Sequence, residues 1–108
     1  MANTFKNAYY DVTTALDAAY TCPGSTTAII LTLRITNVDG ANDATITAQV
    51  ADGSSGDAKL AHTMTVPADS SIELAGTSKI VLETGDILKL QANAASDLEA
   101  FISVLQIT

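Results

Sequence analysis

From Ile29 onward the odd positions Ile29, Leu31, Leu33 and Ile35 are all aliphatic, while the even positions Ile30, Thr32, Arg34 and Thr36 are mostly polar. A period of two sends alternate side chains to opposite faces of a strand, so this run predicts a strand with its odd row in a core. Asn37-Val38-Asp39-Gly40 interrupts the run with residues that tolerate positive φ, and Asn42-Asp43 extends the turn. Ile46, Ala48 and Val50 then alternate with Thr45, Thr47 and Gln49. The pattern predicts a second strand paired with the first, a central hairpin over 27–50.

The rest of the chain reads in the same way. Residues 4–12 carry Phe5 and Tyr9 on one row and Ala8, Tyr10 and Val12 on the other, which suits an edge strand or a docking arm. Residues 13–22 fit helical spacing (Val12, Leu16, Ala19, Tyr20) and strand spacing (Leu16, Ala18, Tyr20, Cys22) equally well; a strand agrees better with its neighbours, and Pro23-Gly24 ends it. Turn formers fill 52–57. Leu60, His62, Met64 and Val66 then alternate with Ala61, Thr63 and Thr65 until Pro67 removes a ladder donor. A short strand follows with Ile72 and Leu74 inward, then a turn at Gly76-Thr77. Residues 79–83 and 87–92 predict a tight pair around Thr84-Gly85-Asp86, with Ile80, Leu82, Leu88 and Leu90 in the core. The last strand, 98–107, breaks the pattern: Ile102 and Val104 lie on one row, but Phe101, Leu105 and Ile107 lie on the other. A strand apolar on both rows is covered on both faces.

Eight to nine short antiparallel strands at spacings of about ten residues, with turn signals at each break, predict an all-β, single-domain β-sandwich. Jelly-roll and immunoglobulin-like topologies both fit. The domain spans 1–108, with 1–12 an N-terminal arm or edge strand.

Composition narrows the function. Of 108 residues 47% are hydrophobic and 16% charged, a globular balance, and aromatics are only 5%, so the core rests on aliphatic residues. A net charge of −7 with five Lys and Arg disfavours nucleic acid and anionic membrane surfaces as partners. One cysteine, Cys22, allows no disulfide within these residues. The start, Met1-Ala2-Asn3-Thr4-Phe5-Lys6, lacks the basic-then-apolar pattern of a signal peptide, so synthesis in the cytosol is expected.

No residue set amounts to an active site, and an enzyme is not expected. His62 is the only histidine, and its row with Leu60, Met64 and Val66 makes it a core-edge residue and not a general base. Cys22 reads as a buried small hydrophobe. One Cys and one His cannot close a zinc site. Asp39, Asn42, Asp43, Asp52 and Asp57 supply oxygens but match no calcium loop, so turn chemistry accounts for them. No cofactor and no metal are expected. Trp is absent, and Phe5, Tyr9, Tyr10, Tyr20 and Phe101 do not share a loop, which weakens a sugar platform.

Several phrases resemble those of small all-β virion proteins from tailed bacteriophages, particularly phages of marine bacteria. They are Tyr20-Thr21-Cys22-Pro23-Gly24 leading into Thr26-Thr27-Ala28-Ile29-Ile30-Leu31; Thr36-Asn37-Val38-Asp39-Gly40; Val66-Pro67-Ala68-Asp69-Ser70-Ser71; Lys79-Ile80-Val81-Leu82-Glu83-Thr84-Gly85-Asp86; and Ile102-Ser103-Val104-Leu105. The resemblance runs from about Tyr20 to the end. It implies a structural virion protein, foremost a capsid decoration (cement) protein on the outer head surface, with a neck, tail or fibre component, or a small glycan-binding adhesion module, as alternatives. The implied partners are the major capsid protein or other virion proteins, and the implied location is the virion.

Ile30, Val81, Ile87, Phe101, Leu105 and Ile107 all fall off their strands' expected core rows. Contiguous exposed apolar surface is uncommon on soluble monomers, so these six residues are the expected subunit interface of a homo-oligomer. Decoration proteins of the resembled kind favour a trimer.

Overall fold

The computed structural model describes residues 2–52, 56–75 and 79–108, and over these the chain is all-β. The strands are β1 (Asn3–Asp11), β2 (Asp17–Thr21), β3 (Thr27–Asn37), β4 (Ala44–Asp52), β5 (Gly56–Val66), β6 (Ser71–Glu73), β7 (Ile80–Leu82), β8 (Ile87–Ala92) and β9 (Leu98–Ile107). They form two antiparallel sheets. One has the order β1-β9-β3-β6, with β7 also on β3, and the other has the order β2-β8-β4-β5. Within 13–22 a strand does form, over Asp17–Thr21, and the expected N-terminal segment contributes an edge strand, β1, paired with β9 from Asn3↔Ile107 to Asp11↔Glu99.

Each sheet turns one row inward. Ile30, Leu33, Ile35, Leu98, Ile102 and Val104 meet Ile46, Ala48, Leu88 and Leu90 across the interior, all of them essentially without solvent contact. Burying one such aliphatic side chain is worth about 1.5–3 kcal/mol. Paired rows of this kind hold the sheets face to face.

The expected odd core row of β3 holds only in its second half. The pairing with β9 slips between Ile30 and Thr32, so Leu31 is an extra residue. Before the slip Ala28 and Ile30 point inward; after it Leu33, Ile35 and Asn37 do. Because side chains alternate with period two, one inserted residue exchanges the rows. Ile30 is therefore a core residue.

Two expected hairpins are absent. β3 and β4 lie in opposite sheets, so residues 38–43 form a corner between sheets. The Asn37 side chain holds that corner: its amide nitrogen donates to Asn42 O at 3.0 Å and Val66 O at 2.9 Å, and its oxygen accepts from Asp39 N at 2.9 Å. Likewise β7 pairs with β3, while β8 lies between β2 and β4. In both cases the apolar rows are buried by facing each other across the interior, and the turn residues bend the chain over the edge of the sandwich.

β4 and β5 do pair directly, ending at Asp52↔Gly56. Two register slips and a positive φ of 46° at Thr63 disrupt β5, an edge strand. Its expected row breaks accordingly: Val66 is buried, but His62 and Met64 are exposed. Irregularity of this kind blunts an edge against further pairing. Of the expected turns, 53–55 within 52–57 and the Gly76-Thr77 turn lie outside the described residues.

Candidate functional site

The outer face of the five-stranded sheet carries the unusual chemistry. Register places its side chains in rows that run across the strands. Phe5 lies opposite Leu105, Leu105 opposite Ile29, and Ile29 opposite Val81, which makes one apolar row over β1, β9, β3 and β7. Its ends are open to solvent, with Phe5 74% and Val81 57% exposed. Ile107, between Asn3 and Thr27, extends the apolar surface by one step along β9.

A polar row comes next, Asn7-Ser103-Thr32, in which Ser103 Oγ donates to Asn7 Oδ1 at 3.2 Å. Beyond it runs Tyr9-Phe101-Arg34-Glu73. The Tyr9 and Phe101 rings lie 5.5 Å apart and tilted by 34°, an arrangement that suits two ring quadrupoles. Arg34 turns towards β6, donating from Nη1 to Ser71 Oγ at 3.1 Å and approaching Glu73 Oε1 at 3.9 Å from Nη2. The next row begins with Asp11 opposite Glu99. A groove of about 380 Å³ is lined by Tyr9, Asp11, Thr36, Glu99 and Phe101, among others.

Four of the six residues expected at a subunit interface, Val81, Phe101, Leu105 and Ile107, thus share one face. Ile30 does not belong with them, because the slip at Leu31 turns it into the core. Ile87 sits in the other sheet, half-buried between Thr21 and Ala51. Sequence reasoning missed Phe5, Tyr9 and Ile29. Phe5 and Tyr9 do share a row in sequence, but only pairing with β9 reveals which apolar residues they adjoin.

The other candidates take structural roles. Cys22 is buried, its thiol within 3.3 Å of Thr26 O and 3.5 Å of Leu82 O, and burial pushes its pKa up against a weaker lowering by the Ala28 backbone. His62 is exposed, and its carbonyl accepts from Thr63 Oγ1. Asp39 accepts from Ala41 N, Asn42 N and Asn42 Nδ2, Asp43 from Ala68 N, and Asp57 from Gln49 Nε2. These carboxylates cap turns and support the sheet. Among the described residues no group of three or more His, Cys, Asp or Glu is placed to hold a metal ion.

No protein-family model matches the chain, and no curated protein does. Solved structures do resemble it. A chain of the Bacillus endospore appendages, a family of disulfide-linked pili, superposes with a TM-score of 0.57 at 16% identity, covering 99% of this chain and 87% of its own. A chain of the acidic stable capsid of Helicobacter pylori bacteriophage KHP30 gives a TM-score of 0.54 at 10% identity, covering 100% and 89%. At these identities the likeness is one of fold.

Proposed function

We propose that this chain is a structural protein of a phage virion, a decoration protein that binds the outer head surface and associates with copies of itself. The observation that carries the reading is the apolar row Phe5-Leu105-Ile29-Val81 on the outer face of a sheet whose inner face is already packed. A second copy would remove that row from water, and closed symmetry would do so without open ends. A trimer remains the form favoured by the resemblance, and the major capsid protein remains the proposed partner. The strand orders support the reading, since β1-β9-β3-β6 facing β2-β8-β4-β5 suits a jelly roll with one strand position divided between β6 and β7. Jelly rolls are frequent among viral capsid domains. Likeness to the phage capsid chain supports it too.

The likeness to the pilus chain favours a second reading, a filament subunit. Disulfide linkage does not transfer well to these residues, because Cys22, the one thiol among them, is buried.

Sedimentation equilibrium at micromolar concentration tests the assembly. The parent chain should form a closed oligomer, and Leu105→Asp should sediment at 11.1 kDa with its β-type circular dichroism retained. A parent that stays at 11.1 kDa throughout overturns self-association, and filaments of increasing length would favour the pilus-like reading. Quantitative mass spectrometry of purified virions then distinguishes a high-copy decoration protein from a low-copy neck, tail or fibre part.

A further inference from the structure

The geometry points to a cation-binding groove at the Asp11–Glu99 end of the five-stranded sheet, built to take an arginine or lysine side chain from a partner protein. This goes beyond the virion reading and does not depend on it.

Two departures from ordinary sheet design meet here. Asp11 and Glu99 are direct cross-strand neighbours on the outer face, and like charges placed opposite each other weaken a strand pair. Among the described residues no hydrogen bond or ion pair engages either carboxylate. One step along the same two strands, Tyr9 and Phe101 form a ring pair with Tyr9 76% exposed. Both pairs line the same groove of about 380 Å³, and the carboxylates also border an adjoining one of about 220 Å³.

A single guanidinium or ammonium group answers both features. Its alkyl stem and charged head can lie against the aromatic faces, which attract cations through their quadrupoles, while the head reaches the two carboxylates. The chain's own cation in the adjoining row is otherwise engaged: Arg34, opposite Phe101, makes its contacts with Ser71 and Glu73. A neutral sugar could stack on the rings and donate hydroxyl hydrogen bonds to the carboxylates, but it would leave their two negative charges uncompensated. Places where a local rule is broken without an internal compensation are where function is expected.

The probe is hexa-arginine, with hexa-citrulline as its neutral near-isostere, followed by amide NMR titration of the intact chain. Hexa-arginine should move the resonances of Tyr9, Asp11, Glu99 and Phe101, and hexa-citrulline should bind at least about tenfold more weakly. The Asp11→Asn/Glu99→Gln variant should lose about tenfold in hexa-arginine affinity. The control Asp69→Asn/Glu83→Gln removes equal charge elsewhere and should lose little. Phe101→Leu should weaken binding several-fold with the fold retained. Glu99→Gln alone should raise the melting temperature of the free protein, by about 2 °C, because it removes one of two like charges on directly opposed cross-strand residues. The proposal is overturned if hexa-arginine produces no localised shifts, if citrulline binds as well, if the two double variants lose affinity equally, or if a neutral oligosaccharide binds the groove more tightly.

Discussion

The carboxylate of Glu73 stands in for a missing strand beside Leu33. β7 pairs with β3 at residues 28–30 and β6 pairs at 34–36, leaving the stretch between them without a ladder partner on that side. Leu33 N–H donates to Glu73 Oε2 at 2.7 Å, and Leu33 O accepts from Leu74 N at 2.9 Å. The same Glu73 oxygen accepts from Ala75 N at 3.2 Å. Glu73→Ala should cost about 1–3 kcal/mol in urea denaturation, because it leaves a backbone donor of a buried residue without its acceptor. Glu73→Gln keeps an acceptor oxygen and should lose less. Equal losses would assign the effect to packing or charge instead of this hydrogen bond.

The bulge at Leu31 has its own signature. Ile30→Ala and Leu33→Ala should each cost about 2–5 kcal/mol through lost transfer energy and the cavity left behind. Ile29→Ala and Thr32→Ala, on the outer face, should cost far less under conditions where the chain is monomeric. Strict alternation would make Ile29 the expensive position and Ile30 the cheap one, so ranking the four by chemical denaturation tests the slip directly.

Asp39 should make the 38–43 corner sensitive to acid. Hydrogen bonds from the Ala41 backbone, then from the Asn42 side chain and backbone, hold its pKa below the ordinary carboxylate value. A group whose folded pKa is lowered contributes fully above its unfolded pKa of about 3.9, and the contribution fades as pH falls through the folded value. Stability of the parent should therefore fall below about pH 4, and Asp39→Asn should lose part of that dependence. Urea midpoints measured across this range provide the check; identical slopes for both proteins would refute the role.

Cys22 should be inert until the chain unfolds. Burial raises its pKa and keeps reagent away, so the native protein should not react with a chromogenic disulfide such as DTNB at neutral pH. Reactivity should appear with the same urea midpoint as the loss of β-type circular dichroism. Labelling well before that midpoint would mean that the contact between Cys22 and Leu82 opens locally.

The sequence by itself determined the all-β class, the position of most strands and most of the core. Alternation is a local property, so Leu33, Ile35, Leu82, Leu88, Leu90, Ile102 and Val104 could be assigned to the interior from their neighbours alone. It also singled out Phe101, Leu105 and Ile107 as a second apolar row, because no local rule explains apolar residues on both faces of β9.

Only the tertiary structure decided which strands pair. Turn chemistry at 37–43 and 84–86 suits a hairpin and a corner between sheets equally, and the outcome depends on where the facing apolar rows find cover. Bulges are also invisible to a period-two pattern: one inserted residue at Leu31 put Ile30 in the core, and slips in β5 put His62 and Met64 in solvent. The outer-face rows are the extreme case. Phe5 meets Leu105, and Asp11 meets Glu99, only because the first and last strands of the chain pair in one register. Periodicity gives each strand its two faces, but the free energy that selects partners and register comes from contacts between residues far apart in the chain.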